Sequence, residues 1–261
     1  MNARRSAGSG PLQAYVLHRY DWSETSLVVE LFTRMQGRVV VAAKGAKRPY
    51  SQLRPVLLPF QQLLVTLGRA PADDTGEIFN LRGAEWAGGP PAHGAAALFA
   101  GFYLNELLLK LLPRQDAHPA LFDAYAQALA CLAPDDDAAT QATLRAFELT
   151  LLRELGWLPE LSCVSSTLEP VQADREYGLH GELGVVTGGE ARLPGRTLLA
   201  LEQALEAGDA VALRAAAAGE RQALRALLRG LLHYHLPAGP LRTREVLRGV
   251  QRLLEPEAHE R

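Results

Sequence analysis

Five short apolar runs fill the first part of the chain and limit what it can fold into. They are rich in Val, Leu, Phe and Thr and lie at residues 12–17, 26–32, 38–43, 61–67 and 78–84. Turn-forming stretches separate them, among them Asp21-Trp22-Ser23 and Met35-Gln36-Gly37. Short runs of this kind, divided by turn residues, indicate β-strands. Five strands within roughly eighty residues predict a closed or nearly closed barrel, with the five-stranded OB-fold as the best candidate.

The composition changes at Gly88-Gly89-Pro90-Pro91, where we place a domain boundary. Apolar residues then recur at helical spacing. This spacing predicts helices at about 94–112, 119–132, 138–155, 197–206, 209–218, 220–235 and 242–254. The sequence therefore predicts an α+β multidomain chain. Its expected parts are a flexible tail at 1–10, an OB-fold domain at 11–87, and an all-α helical domain at 92–261 with a small irregular insertion at about 160–195.

Catalytic motifs are missing from the sequence. It contains no nucleophile elbow, P-loop or dinucleotide fingerprint. His233 and His235 are two residues apart, which places them on different faces of a helix. Asp135, Asp136 and Asp137 suggest a metal site, but capping of the following helix explains them better. Two cysteines far apart in sequence imply no disulfide framework and favour a reduced, cytosolic protein. We therefore expect a binding protein and not an enzyme.

Charge is distributed unevenly along the chain. Residues 1–69 contain ten Lys and Arg against three Asp and Glu, a net charge of +7, and the remainder carries −9. Residues 221–252 form a second basic zone with seven arginines and one acid, Glu245. Such an asymmetry indicates that the first segment faces a polyanion.

The turn after the third predicted strand carries Lys44, Lys47 and Arg48, and two of the three lysines of the chain lie there. Three cations within five residues favour binding of an anion such as a phosphodiester backbone, although a solvated polar loop also explains them. The residues predicted to contact DNA are Arg34, Arg38, Lys44, Lys47, Arg48 and Arg54. Tyr20, Trp22 and Tyr50 are available for base stacking, and Trp22 equally suits a cap on the barrel core.

Arginines near the end of the chain form a possible second DNA zone. Its members are Arg221, Arg225, Arg229, Arg242 and Arg244. The first three repeat every four residues and so form one stripe on a helix. That spacing fits an extension of the DNA track and also a solvated helix face.

Several stretches, taken in order, carry a family resemblance. They are Tyr15-Val16-Leu17-His18, Trp22-Ser23-Glu24-Thr25-Ser26-Leu27, Leu31-Phe32-Thr33, Gly37-Arg38-Val39, Ala43-Lys44-Gly45-Ala46, Leu58-Pro59-Phe60, Tyr103-Leu104-Asn105-Glu106-Leu107, Leu144-Arg145-Ala146-Phe147-Glu148, Leu155-Gly156 and Gly239-Pro240-Leu241-Arg242-Thr243-Arg244-Glu245. In this order, over about 12–252, the chain resembles the bacterial RecO recombination-mediator family.

The resemblance implies an N-terminal OB barrel, a C-terminal helical domain and a non-enzymatic role in DNA repair in the cytoplasm, at the nucleoid. It implies binding of single- and double-stranded DNA, annealing of complementary strands and, with RecR, loading of RecA onto DNA coated by single-stranded-DNA-binding protein. A protein-only adaptor without direct DNA contact is the alternative function. A nuclease would need clustered carboxylates or histidines, and the sequence shows none.

The resemblance also implies a site in the helical domain for the acidic C-terminal tail of single-stranded-DNA-binding protein. Arg145 matches the arginine of the family's Leu-Arg-x-Phe-Glu stretch, with Lys110 and Arg114 as companions. A simple pair between Arg145 and Glu148 is the alternative. Many members of the family carry four zinc-binding cysteines in the insertion. Here only Cys163 remains, Ser166 occupies the place of its mate and the second pair is missing. We therefore expect no metal and no cofactor, and an insertion held by packing alone.

Overall fold

The computed structural model describes residues 10–68, 78–89, 94–132, 136–236, 241–243 and 246. The chain divides into two compact units. Unit 1 consists of Met1–Ala92 together with Leu112–Asp123, and unit 2 consists of His93–Leu111 together with Ala124–Arg261. Residues 112–123, which the sequence placed in the helical domain, are therefore part of the first unit.

Unit 1 is built on a closed five-stranded barrel, as the sequence predicted. The strands are β1 (Leu12–Asp21), β2 (Leu27–Thr33), β3 (Gly37–Ala43), β4 (Gln62–Leu67) and β5 (Ile78–Gly88). They close in the order β1-β2-β3-β5-β4. The β3–β5 pair is parallel and the other pairs are antiparallel. A register shift between Val16 and His18 bends β1, as a β-bulge does. This topology confirms the OB-like fold.

Both faces are buried along most of β2 and β3 and along β1 from Ala14 to Leu17, which explains the nearly continuous apolar sequence of these stretches. Alternate residues such as Val16, Leu31 and Val41 fill the barrel core. On the other face, the rings of Tyr15 and Phe32 lie 5.3 Å and 5.4 Å from the ring of Phe122, which belongs to the 112–123 segment of the same unit. That segment therefore covers the outer face of the barrel.

Gly37 at the start of β3 tolerates no side chain. Its φ is +63°, in the left-handed region that favours glycine. A Cβ atom at this position would lie 1.7 Å from the carbonyl oxygen of Asp116. The glycine thus lets the 112–123 segment approach the backbone of the turn between β2 and β3.

Unit 2 is helical, as predicted. The described part of the chain forms α1 (Ala95–Leu111), α2 (Pro119–Cys131), α3 (Asp137–Glu154), α4 (Gly195–Ala207), α5 (Ala210–Gly219) and α6 (Arg221–His235). The carboxylate of Asp136 caps α3 by accepting the N–H of Ala139 at 2.9 Å, and Gly156 ends the helix at a φ of +72°. Asp135 and almost all of the helix expected at 242–254 lie outside the described residues.

The insertion is more regular than the sequence indicated. Its strands β6 (Glu176–His180), β7 (Gly184–Thr187) and β8 (Leu193–Pro194) form a three-stranded antiparallel sheet in the order β7-β6-β8. Polar contacts supplement the packing that we expected. The buried carboxylate of Glu202 accepts the N–H of Leu161 at 2.8 Å and both terminal nitrogens of Arg153 at 2.7 and 2.8 Å. This carboxylate ties the start of the insertion to α3 and α4.

Another carboxylate, that of Glu106 on α1, holds the chain near its end. It accepts hydrogen bonds from the backbone N–H groups of Arg242 at 2.7 Å and Thr243 at 2.9 Å. The hydroxyl of Thr243 donates at 2.6 Å, and the ammonium of Lys110 lies 3.3 Å away. Burial acts to raise the pKa of Glu106, but these donors outweigh it and lower the pKa below its ordinary value.

Glu106→Gln is expected to destabilise unit 2 by about 1.5–3 kcal/mol near neutral pH, since hydrogen bonds to a charged group contribute about that much. The folded pKa lies below the unfolded one. The ionised carboxylate therefore stabilises the fold above the unfolded value of about 4.3, and this contribution is lost as the pH falls through the folded pKa. Urea unfolding of both proteins at about pH 7 and about pH 3 measures the effect. The stability gap should narrow at the lower pH, and a gap independent of pH would contradict the assignment.

No helix within the described residues combines the length and apolarity that crossing a bilayer requires.

Candidate nucleic-acid interface

The basic turn follows β3 directly and is fixed by its own backbone. Gly45 has a φ of +73°, and the N–H of Arg48 donates to the carbonyl of Gly45 at 3.1 Å. The N–H of Lys47 donates to the carbonyl of Thr25 at 3.0 Å, which holds the turn against the loop before β2. The cations of this turn are therefore presented by an ordered backbone.

Three of the six cations predicted to contact DNA are exposed and available. The side chains of Lys44, Arg48 and Arg54 make no ion pair or hydrogen bond with any residue that the structure describes. A cation without an acidic partner keeps its full charge for a ligand, and removal of its water costs less than breaking an existing pair. These three residues, which we call the free cation set, are the leading candidates for phosphate contacts.

Lys47 lies beside the free cation set but is partly neutralised. Its ammonium is 3.0 Å from a carboxylate oxygen of Asp21 and donates to the carbonyl of Ser23 at 3.0 Å. A ligand must compete with Asp21 for this charge.

The structure gives no support to Arg34 and Arg38 as DNA contacts. Arg34 forms two hydrogen bonds, at 2.8 and 3.0 Å, with the carboxylate of Asp123. Arg38 donates to the carbonyl of Leu112 at 3.0 Å and lies 3.3 Å from the buried carboxylate of Glu30. Both cations are thus bound to acids and backbone within unit 1, and their contact with DNA stays a prediction.

A cavity of about 390 Å³ opens between the ends of the first two strands and the basic turn. It is lined by Arg19, Asp21, Leu27, Ala46, Lys47 and Arg54. Arg19 is a cation that the sequence analysis missed. We expected the first strand to end at residue 17, whereas β1 extends to Asp21 and brings Arg19 to the cavity. The charged residues Arg19 and Asp21 directly after an apolar run were the available signal.

The three candidate aromatic residues are all exposed. Tyr50 is 95% exposed and Trp22 is 56% exposed. The ring of Tyr20 packs edge-on against His18, with 4.5 Å between the ring centres. Flat side chains open to solvent beside cations suit stacking with unpaired bases.

Each of the three residues predicted to bind the partner tail is paired with a carboxylate of its own unit. Lys110 lies 3.3 Å from the carboxylate of Glu106, and Arg114 belongs to unit 1, where it pairs with Glu30 at 2.9 Å. Arg145 is only 4% exposed, and its guanidinium lies 2.7 Å from the carboxylate of Glu148. The side chain is therefore buried in a pair with Glu148, as the alternative interpretation of the sequence indicated, and its part in tail binding stays a prediction.

The arginine stripe on α6 faces solvent. Arg221, Arg225 and Arg229 are exposed on the face opposite the buried Leu224 and Leu228. Arg242 is also exposed and is anchored through its backbone to Glu106. Arg244 lies outside the described residues. The stripe thus has the geometry that a DNA track needs, and its role stays a prediction.

That the insertion holds no zinc stays a prediction. Burial, together with the nearby carboxylates of Glu160 and Glu202, raises the pKa of the Cys163 thiol, which opposes the thiolate form that a metal requires. Within the described residues, no group of three or more His, Cys, Asp or Glu side chains is placed to hold a metal ion. The N–H of Val164 instead donates to the carbonyl of Glu169 at 2.9 Å, which closes the segment around Cys163 by hydrogen bonds.

Comparison with known proteins covers almost the whole chain. Residues 11–88 match the family model described as Recombination protein O N terminal, and residues 93–245 match the one described as Recombination protein O C terminal. The chain is 51% identical over 251 residues to a DNA repair protein RecO of Variovorax paradoxus, with 92% of this chain and 96% of that protein covered. It is 47% identical over 266 residues to a DNA repair protein RecO of Acidovorax ebreus, with 97% and 100% covered.

Proposed function

The chain belongs to the RecO family of DNA repair proteins, and we propose on that premise that it is a non-enzymatic recombination mediator. It binds single- and double-stranded DNA and anneals complementary strands. With RecR, it helps to load RecA onto DNA coated by single-stranded-DNA-binding protein, and it works at the nucleoid in the cytoplasm. The observation that carries the DNA-binding part is the free cation set of Lys44, Arg48 and Arg54, whose side chains are exposed and have no partner among the described residues.

The free cation set supports binding that does not depend on base sequence. Contacts to phosphate position a protein on DNA without reading its bases. Annealing follows from the same charges, because neutralised phosphates lower the repulsion between two strands that are held close together. The exposed arginine stripe of Arg221, Arg225 and Arg229 supplies a second cationic surface for the other strand.

The tail of single-stranded-DNA-binding protein is the second proposed partner, and unit 2 is the part of the chain that we propose binds it. Arg145 supports this binding from inside the unit, through its pair with Glu148. We also propose that the insertion needs no zinc and that the contacts of Glu202 hold it in place. Metal analysis of the purified protein should therefore find no stoichiometric zinc.

Annealing of coated strands tests the proposed function. Two complementary oligonucleotides, each coated with single-stranded-DNA-binding protein, are mixed and followed by energy transfer between end labels. The wild-type protein should accelerate annealing at least about tenfold, and Lys44→Gln/Arg48→Gln/Arg54→Gln should remove most of the acceleration. Arg34→Gln is the matched control and should anneal like wild type.

Anisotropy and annealing together distinguish a DNA-binding mediator from a protein-only adaptor. An adaptor that binds only the coating protein would show no change in anisotropy of a bare labelled oligonucleotide. It would also anneal equally well with and without the free cation set. An unchanged anisotropy with the wild-type protein, or equal annealing by wild type and the triple variant, would overturn the DNA-binding role.

A further inference from the structure

Two depressions on unit 1 share Arg54 and so adjoin each other. The first is the cavity described above. The second has a volume of about 510 Å³ and is lined by Pro49, Tyr50, Ser51, Gln52, Arg54 and Pro55. Both volumes lie in the range of about 300–1,000 Å³ that is typical of small-molecule sites, large enough for one nucleotide each.

The first depression matches a phosphodiester group. Three cations and one carboxylate line it, and the side chain of Arg54 has no partner among the described residues. Arg19 uses one terminal nitrogen to donate to the carbonyl of Leu57 at 3.0 Å, and the described residues do not use its other N–H groups. Arginine presents its N–H groups as a planar fork that fits two oxygens of a phosphate. The cavity therefore offers two such forks to one anion.

The second depression matches an unpaired base. Tyr50 is 95% exposed, and Pro49 and Pro55 line the same depression with rigid apolar rings. A base stacks on such a ring only when it is free of its own neighbours, and bases in a duplex are already paired and stacked. The aromatic depression therefore favours single strands.

We propose that the two depressions form one site for single-stranded DNA, with a phosphate held by Arg19 and Arg54 and an unpaired base stacked on Tyr50. This inference rests on the proposed function and adds the form of the strand and the residues that select it. Arg54 lies in both depressions and so links the phosphate to its base.

Asp21 limits the affinity of this site. Its carboxylate lies in the phosphate cavity and holds the ammonium of Lys47 at 3.0 Å. A bound phosphate is repelled by the carboxylate and competes with it for Lys47. A protein that transfers strands to other proteins must also release them, and Asp21 favours release.

Anisotropy of a labelled oligothymidylate and of a matched duplex tests the site. Tyr50→Ala should weaken single-strand binding about tenfold, the size expected for loss of one stacked base, and should leave duplex binding within about twofold. Arg54→Gln should weaken single-strand binding and reduce the slope of log affinity against log salt by about 0.7. Asp21→Asn should tighten single-strand binding about threefold, because a repulsive charge is removed.

Arg82→Gln removes an exposed arginine of β5 that does not line either depression, and it should bind single strands like wild type. Equal losses for both strand forms in Tyr50→Ala, or weaker binding in Asp21→Asn, would overturn the site. Displacement of the oligonucleotide by an equal concentration of thymidine monophosphate would assign the cavity to a free nucleotide instead. If wild type binds neither strand form, the proposed function itself fails, whereas wild-type affinity in Tyr50→Ala refutes the site alone.

Discussion

Replacement of Arg145 by methionine is expected to lower the free energy of unfolding of unit 2 by about 3–5 kcal/mol, the cost of breaking a buried ion pair from one side. Glu148 is 0% exposed, and its carboxylate lies 2.7 Å from the guanidinium of Arg145. In the variant, the hydroxyl of Tyr103 is the only group among the described residues that still donates to that carboxylate. A buried negative charge with one neutral donor is strongly unfavourable.

Urea unfolding of wild type, Arg145→Met, Glu148→Leu and the double variant measures this effect. The double variant should recover most of the lost stability, because apolar residues often replace a buried pair without net cost. Recovery is favoured here since, within the described residues, Nε and Nη1 of Arg145 and one oxygen of Glu148 are buried without a hydrogen-bond partner. A single variant within about 0.5 kcal/mol of wild type would contradict the pairing.

The burial of Arg145 also changes how the tail-binding prediction is tested. Loss of tail-peptide binding in an Arg145 variant follows equally from a disturbed unit 2. The comparison of Arg145→Met with the double variant distinguishes the two causes. If the double variant is stable and still does not bind the peptide, Arg145 contributes to recognition, and if it binds the peptide, its role is structural.

Removal of the free cation set should have the second large effect. For Lys44→Gln/Arg48→Gln/Arg54→Gln we expect the magnitude of the slope of log affinity against log salt to fall by about 2. Each phosphate contact to a single strand contributes about 0.7 to that slope, and the variant loses three of them. If wild type and variant bind equally at about 1 M salt, this difference in slope makes the affinity of the variant about 50-fold lower at about 0.15 M salt. These side chains are exposed and unpartnered among the described residues, so the fold should be unaffected.

Anisotropy titrations between about 0.05 and 0.2 M salt provide the measurement. Arg34→Gln is the informative control, because the sequence predicted a DNA contact at Arg34 and the structure shows a bond to Asp123. Its slope should equal that of wild type. A slope reduced as much by Arg34→Gln as by any member of the set would restore the prediction from sequence. A flat affinity in wild type would exclude phosphate binding altogether.

The elements of the fold could be predicted from the sequence, because strand and helix periodicities are local properties. The barrel strands and α1 to α6 lie where the patterns indicated. The partners of the cations could not be predicted in the same way. Arg34 and Lys44 are similar in sequence context, but Asp123, which binds Arg34, is 89 residues away and lies on α2. Charge density along the chain gives no information about such distant partners.

The burial of Arg145 could not be predicted from the sequence, for a different reason. Its spacing of three residues from Glu148 indicated the pair correctly, but the sequence did not indicate that both side chains are buried. Leu144, Ala146 and Leu149 surround the pair along α3 and are also buried, so α3 presents no polar face in this stretch. A helix that is buried all round needs its charges to be paired, and the pattern of periodicity alone does not show this.

The assignment of residues 112–123 to unit 1 has a consequence for how the gene could be rearranged. The barrel needs Arg114 beside Glu30 and Phe122 against Phe32, and these residues are encoded after α1, which is part of unit 2. Neither unit corresponds to one uninterrupted stretch of the gene. A crossover at the Gly88-Gly89 boundary would therefore join a barrel from one ancestor to the covering segment of another. Exchange between relatives should succeed only where Glu30, Phe32 and Gly37 are matched to the 112–123 segment that arrives with the second half.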